Sequence, residues 1–170
     1  MALTVTPGGA SDDSYVEVAD ADAYVLATGF VGWPSDQTEK EQALRRATNW
    51  LDGKYLHRFP GQPVNGRSQS LQWPRSSAVD IDGNAIDEAS IPAEIERATI
   101  EAALREAVTP NCLTPDYVKT QQVKRRKVGP IEREFFETSS ADDIQPFVTS
   151  VEHIVKPILT RRITTPIMAV

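Results

Sequence analysis

The sequence predicts a mainly α fold: a small helical bundle with a β-hairpin and an extended C-terminal tail. Three observations point there. Apolar residues recur at three- and four-residue steps in the stretches 37–53 and 90–107. The period changes after Pro110, where VKTQQVKRRKVGPIEREFFE is rich in β-type residues around Gly129-Pro130. The closing TRRITTPIMAV has no helical period. At 170 residues the chain suits one domain with extensions: an N-terminal arm (1–13), a helical domain (14–159) with its hairpin near 118–137, and a tail (160–170).

Taken in order, the opening residues are small, polar and Gly/Pro-containing, as an arm requires. In ADADAYVLATG, Ala19, Ala23 and Leu26 can share a helical face, and Gly29 is placed to end the helix. Ser35 or Asp36 caps QTEKEQALRRATNWLDG, which buries Ala43, Leu44, Ala47, Trp50 and Leu51 and ends at Gly53. From Lys54 to Ser90, prolines and glycines break any long helix, leaving an extended excursion anchored by Tyr55, Phe59 and Trp73. Ser90-Ile91-Pro92-Ala93-Glu94 then starts a helix to about Ala107, with Ser90 as cap and Ile95, Ala98 and Ala102 inward. Near the end, Phe147, Val151, Ile154 and Ile158 stand at helical spacing, with Pro157 shortening or kinking the helix.

Composition excludes several classes. The chain is 40% hydrophobic and 25% charged with a mean hydropathy of −0.35, too apolar for a disordered chain. No apolar run approaches the roughly 18 residues that cross a bilayer. MALTVTPGGASDDS has neither the basic start nor the apolar core of a secretion signal, so an intracellular place of synthesis is expected. Cys112 is the only cysteine, which rules out an intramolecular disulfide and a cysteine-based zinc site. A net charge of −6 argues against a surface built throughout for phosphate backbones.

Local chemistry is sparse. His57 and His153 fall in different elements with no nucleophile motif beside them, and there is no glycine-rich phosphate loop, so no enzyme is expected. Asp80-Ile81-Asp82-Gly83-Asn84 imitates a calcium loop, but no register supplies both the glycine at position six and the glutamate at twelve. Asp82-Gly83 reads instead as a tight turn, and no metal site is assigned. The basic run Lys124-Arg125-Arg126-Lys127 with its neighbouring aromatics is the best nucleic-acid candidate. Glu132, Glu134 and Glu137 interleave with those aromatics, which favours charge pairing across strands or with a neighbouring subunit.

The segments SYVEVADADAYV, KEQALRRATNWLDGKY, LQWPRSSAVDIDGNAI, IPAEIERATIEAAL and KVGPIEREF, in that order, resemble a tailed-phage family of DnaT-like single-stranded DNA-binding proteins. The likeness covers roughly residues 14 to 137, and the ordered set carries it rather than any one piece. Members of that family usually sit among head and neck genes and are similar to head–tail connector (adaptor) proteins. The resemblance thus implies a structural subunit of the virion neck, assembled in the host cytoplasm, that joins capsid to tail and lets DNA pass. An acidic surface suits such a conduit. The implied partners are copies of itself in a ring of about twelve, the portal protein, a tail-side neck or stopper protein and the passing genomic DNA. No membrane, cofactor or catalytic residue is implied. On this reading Arg161, Arg162, Ile163, Ile167 and Met168 anchor the tail in the portal. Lys124, Arg125, Arg126, Lys127, Ile131 and Phe135 of the hairpin meet a neighbouring subunit. The alternative function is a single-stranded DNA-binding replication accessory.

Overall fold

The computed structural model describes residues 2–115, 125–128, 131–134 and 147–160. Four α-helices carry the described core: α1 (Val18–Thr28), α2 (Gln37–Tyr55), α3 (Ala93–Val108) and α4 (Thr149–Val155). Two antiparallel pairs accompany them, β1 (Gln62–Pro63) with β2 (Arg75–Ser76) and β3 (Arg125–Val128) with β4 (Ile131–Glu134). The mainly helical class stands, and a hairpin forms where the period changes. Of the tail expected at 160–170, only Thr160 falls within the described residues.

Helix α2 is the hub, packing on α3, which packs in turn on α4. The Asp36 carboxylate accepts from the N–H groups of Thr38 and Glu39 at 2.9 and 3.0 Å, satisfying two of the amides a helix start leaves free. Ala43, Leu44, Ala47, Trp50 and Leu51 are all buried, as their spacing requires. Gly53 does not end the helix, however, which runs on to Tyr55. Burial of the Tyr55 ring outweighs the roughly 1 kcal/mol that a helical glycine costs.

Three other expectations change in the same way, because a competing partner wins. Helix α1 buries Val18, Ala21 and Val25 rather than Ala19, Ala23 and Leu26, and Leu26 is 85% exposed. Its orientation is set by Asp22, which accepts from Trp33 Nε1 at 2.7 Å and from Lys40 Nζ at 2.8 Å. Ser90 does not cap α3, since its hydroxyl donates to Asp87 Oδ2 at 2.7 Å and Pro92 takes the cap position. Before α4 it is Val148, not Phe147, that enters the core with Val151, Val155 and Ile158. Phe147 is left 71% exposed.

The excursion between α2 and α3 is tied down by its aromatics and by buried polar groups. Trp73 meets Phe59 edge-on at 5.6 Å, and Phe59 meets Tyr55 at 6.2 Å. Arg75, only 6% exposed, donates to the carbonyls of Pro60 at 2.7 Å and Gly61 at 2.8 Å. Gly61 has φ +64°, and a Cβ there would lie 2.1 Å from the Ser76 carbonyl oxygen, so only glycine fits. The Tyr15 hydroxyl donates to Asp52 and accepts from the amides of Gln72 and Trp73 at 3.0 and 3.2 Å. The opening residues join the same clasp: Asn65 Nδ2 donates to Gly8 O at 2.9 Å, Ser70 N to Gly9 O at 3.0 Å, and Arg45 to Ala2 O at 3.1 Å.

Candidate nucleic-acid interface

Of the residues singled out in the sequence, Arg125, Arg126, Lys127 and Ile131 lie in the β3–β4 ladder. Lys124, Phe135, Arg161, Arg162, Ile163, Ile167 and Met168 lie outside the described residues. The ladder register is Arg125↔Glu134, Arg126↔Arg133, Lys127↔Glu132 and Val128↔Ile131. Because alternate residues of a strand share a face, this register sorts the charges. One face holds two opposite-charge positions, Arg125 with Glu134 and Lys127 with Glu132. The other holds the like-charged pair Arg126 and Arg133 beside Val128 and Ile131.

A second basic surface went unnoticed in the sequence because its parts are far apart along the chain. It forms at the corner where the end of α2 meets α4. Glu152 of α4 accepts Lys54 Nζ at 3.3 Å and lies 3.8 Å from Arg58 Nη1. Lys54 Nζ also stands 4.8 Å from the Trp50 ring centroid and 5.7 Å from that of Phe147, both within cation–π range. The Arg58 guanidinium stands 6.0 Å from the Tyr55 ring centroid. His57, His153 and Lys156, neighbours of Arg58 and Glu152 along the chain, are exposed. Burial first, then the Glu152 carboxylate, pushes the Tyr55 phenol far above its usual range. Trp50 Nε1 and Arg58 Nε are buried with no hydrogen-bond partner among the described residues. Thr160, the last described residue, is fixed to the Arg58 carbonyl through both its N–H (2.8 Å) and its hydroxyl (2.9 Å). The one sequence signal for this corner was the cluster of Lys156, Arg161 and Arg162 after Glu152, with no acidic residue following.

Other features with a chemical look serve the fold. The Asp80 carboxylate accepts from the N–H groups of Asp82 and Asn84 at 2.9 and 2.8 Å and from Asn84 Nδ2 at 2.9 Å. Donation by Asn84 holds its carboxyl below the ordinary value. A bridge between Val79 and Ala85 closes the turn, and Gly83 supplies its φ of +87°. Buried Glu106 accepts from Arg46 Nε at 2.9 Å and from the amides of Asn111 and Leu113 at 2.8 and 3.0 Å, fixing the chain beyond α3. Burial raises the Asp52 carboxyl to about 6 despite donation from Tyr15. An apolar hollow of about 310 Å³ lies between Phe30, Leu104, Val108 and Cys112. Burial pushes the Cys112 thiol up, away from a reactive thiolate.

A family model described as "Putative DnaT-like ssDNA binding protein" matches residues 1–169, and the chain belongs to that family. This is the family named by the sequence resemblance, and the match extends it over nearly the whole chain. No curated protein and no solved structure matches. The match corrects the functional expectation. The family is described by single-stranded DNA binding and not by virion assembly, so it overturns the head–tail connector reading and favours the alternative.

Proposed function

We propose that this member of the DnaT-like family binds single-stranded DNA, holding its backbone with clustered cations and without catalysing a reaction on it. Membership across residues 1–169 is the observation that carries the reading. The net charge of −6 is compatible with it because the charges are segregated. The first 39 residues hold seven carboxylates and no Lys or Arg, whereas residues 153–170 hold Lys156, Arg161 and Arg162 and no carboxylate. Phosphates respond to the local field, screened over about 8 Å at physiological ionic strength, and not to the sum over the molecule. The corner of Lys54, Arg58 and Lys156 supplies that field, and the β3–β4 ladder adds facing Arg126 and Arg133 positions. An extended single strand exposes both its phosphates and its bases, so a surface with cations and rings suits it better than a duplex.

The test is fluorescence anisotropy of a labelled thymidine oligonucleotide and of a duplex of equal length, titrated with the full chain at several salt concentrations. Preference for the single strand at about 150 mM salt is expected. Log K should fall with log salt by roughly 0.7 per phosphate contacted. Absence of single-strand binding at that ionic strength would refute the proposal.

A further inference from the structure

We infer that Phe147 is a base-stacking platform: one base of the bound single strand rests on its ring, while Arg58 and Lys156 meet the flanking phosphates. This deepens the function proposed above and rests on it. The residue is out of place for a core aromatic. Its helical spacing with Val151 and Ile158 suggests burial, yet the chain turns so that Val148 enters the core and the ring of Phe147 stays 71% exposed. Exposure of a large apolar ring forgoes the stabilisation its burial would bring.

The ring is nonetheless placed firmly. Buried Val148 and the first turn of α4 hold its backbone, and the Lys54 ammonium lies 5.7 Å from its centroid. Lys54 is itself tied to Glu152 at 3.3 Å, so the cation approaching the ring is fixed in turn. A fixed ring with an open face loses little freedom when a flat partner settles on it. The chemistry around it selects that partner. Arg58 keeps 27% of its side chain exposed beside Glu152, the carboxylate that also holds Lys54, and Lys156 is exposed one helical turn beyond Glu152. Cations beside an open aromatic face suit an anionic ligand with a π-surface. A nucleotide has both; an apolar protein segment lacks the charge. The exposed part of the Arg58 guanidinium, whose Nη1 lies 3.8 Å from Glu152, offers further donors to a phosphate oxygen.

The experiment measures oligothymidine binding by the full-length wild type and by Phe147→Ala, Phe147→Leu and Phe147→Trp. Thermal unfolding of each variant runs alongside, and because the ring lies outside the core, all four should unfold at similar temperatures. The alanine and leucine variants should bind roughly tenfold more weakly, the change expected for losing one base–aromatic stack. The tryptophan variant should keep its affinity, and its added fluorescence should be quenched by the oligonucleotide. If the wild type binds while Phe147→Ala stays within about twofold of it and Phe147→Trp is not quenched, the inference fails and the proposed function survives. If the wild type does not bind at all, the proposed function itself fails. A Phe147→Ala protein that loses self-association on a sizing column but keeps DNA affinity would assign the ring to a second copy of the chain, which also overturns the inference.

Discussion

The turn at Asp80–Asn84 and the corner at Phe147–Lys156 invert each other. The turn carries a sequence that advertises ligand chemistry, yet its carboxylate spends its acceptors on Asp82, Asn84 and the Asn84 side chain. The corner carries a sequence whose only signal is a few scattered cations after an apolar helix start, yet it leaves a ring open and gathers Lys54 and Arg58 about Glu152 of α4. A polar group satisfied within three or four residues has little left for a partner. A group that the fold could have buried and did not is the better guide to a surface that meets something.

That contrast can be broken at its inward end first. Glu106→Ala would leave Arg46 and two amides without their acceptor, and should cost about 3 kcal/mol in chemical denaturation. Its oligonucleotide affinity should match the wild type wherever the protein stays folded. A loss of affinity in the folded fraction would show that inward and outward groups are coupled.

Next in size is the pH dependence of Asp52. Its folded carboxyl titrates near 6, above its ordinary 3.8, so the neutral form is favoured in the fold. The stability this gives is complete below about pH 4 and is lost as pH rises through 6. Relative to Asp52→Asn, the wild type should therefore weaken by on the order of 2 kcal/mol between pH 4 and pH 7.5. Parallel stability curves for the two proteins over that range would contradict the assignment.

Asp80→Ala should cost about 1 kcal/mol, the usual worth of such side-chain to backbone bonds at a turn, with no change in DNA affinity. Weaker DNA binding in that variant would restore the loop as a ligand site and undo the comparison. The smallest effects separate the two hairpin faces. Arg126→Ala with Arg133→Ala removes two charges at directly facing ladder positions, and Arg125→Ala with Lys127→Ala removes two at positions that face Glu134 and Glu132. The first double variant should flatten the salt slope by roughly 1.4, and the second by much less. Equal slopes would mean that the register does not decide which cations meet phosphate.

Much of the fold was legible in the sequence, and for a stated reason. The buried row of α2, the Asp36 cap, the aromatic anchors Tyr55, Phe59 and Trp73, and the β3–β4 pair each rest on local pattern or capping chemistry. The face of α1 was settled by partners further along the chain, Trp33 and Lys40 for Asp22, and the exposed ring of Phe147 ends beside Lys54 from far earlier in the sequence. Asp87 displaced the capping role of Ser90 from only three residues away. The corner was hidden for the same reason, since Lys54 and Glu152 stand almost a hundred residues apart and meet only once α2, α3 and α4 have packed. The like-charged register of Arg126 and Arg133 needs the pairing itself, which alternation alone does not fix.

The double attachment of Thr160 to the Arg58 carbonyl works as a belay point. It ties the stretch after α4 to the end of α2 across 102 residues of sequence. That stretch cannot lift from the corner without giving up two hydrogen bonds, each worth about 1 kcal/mol, so Lys54, Arg58 and Glu152 keep their spacing when something presses on them.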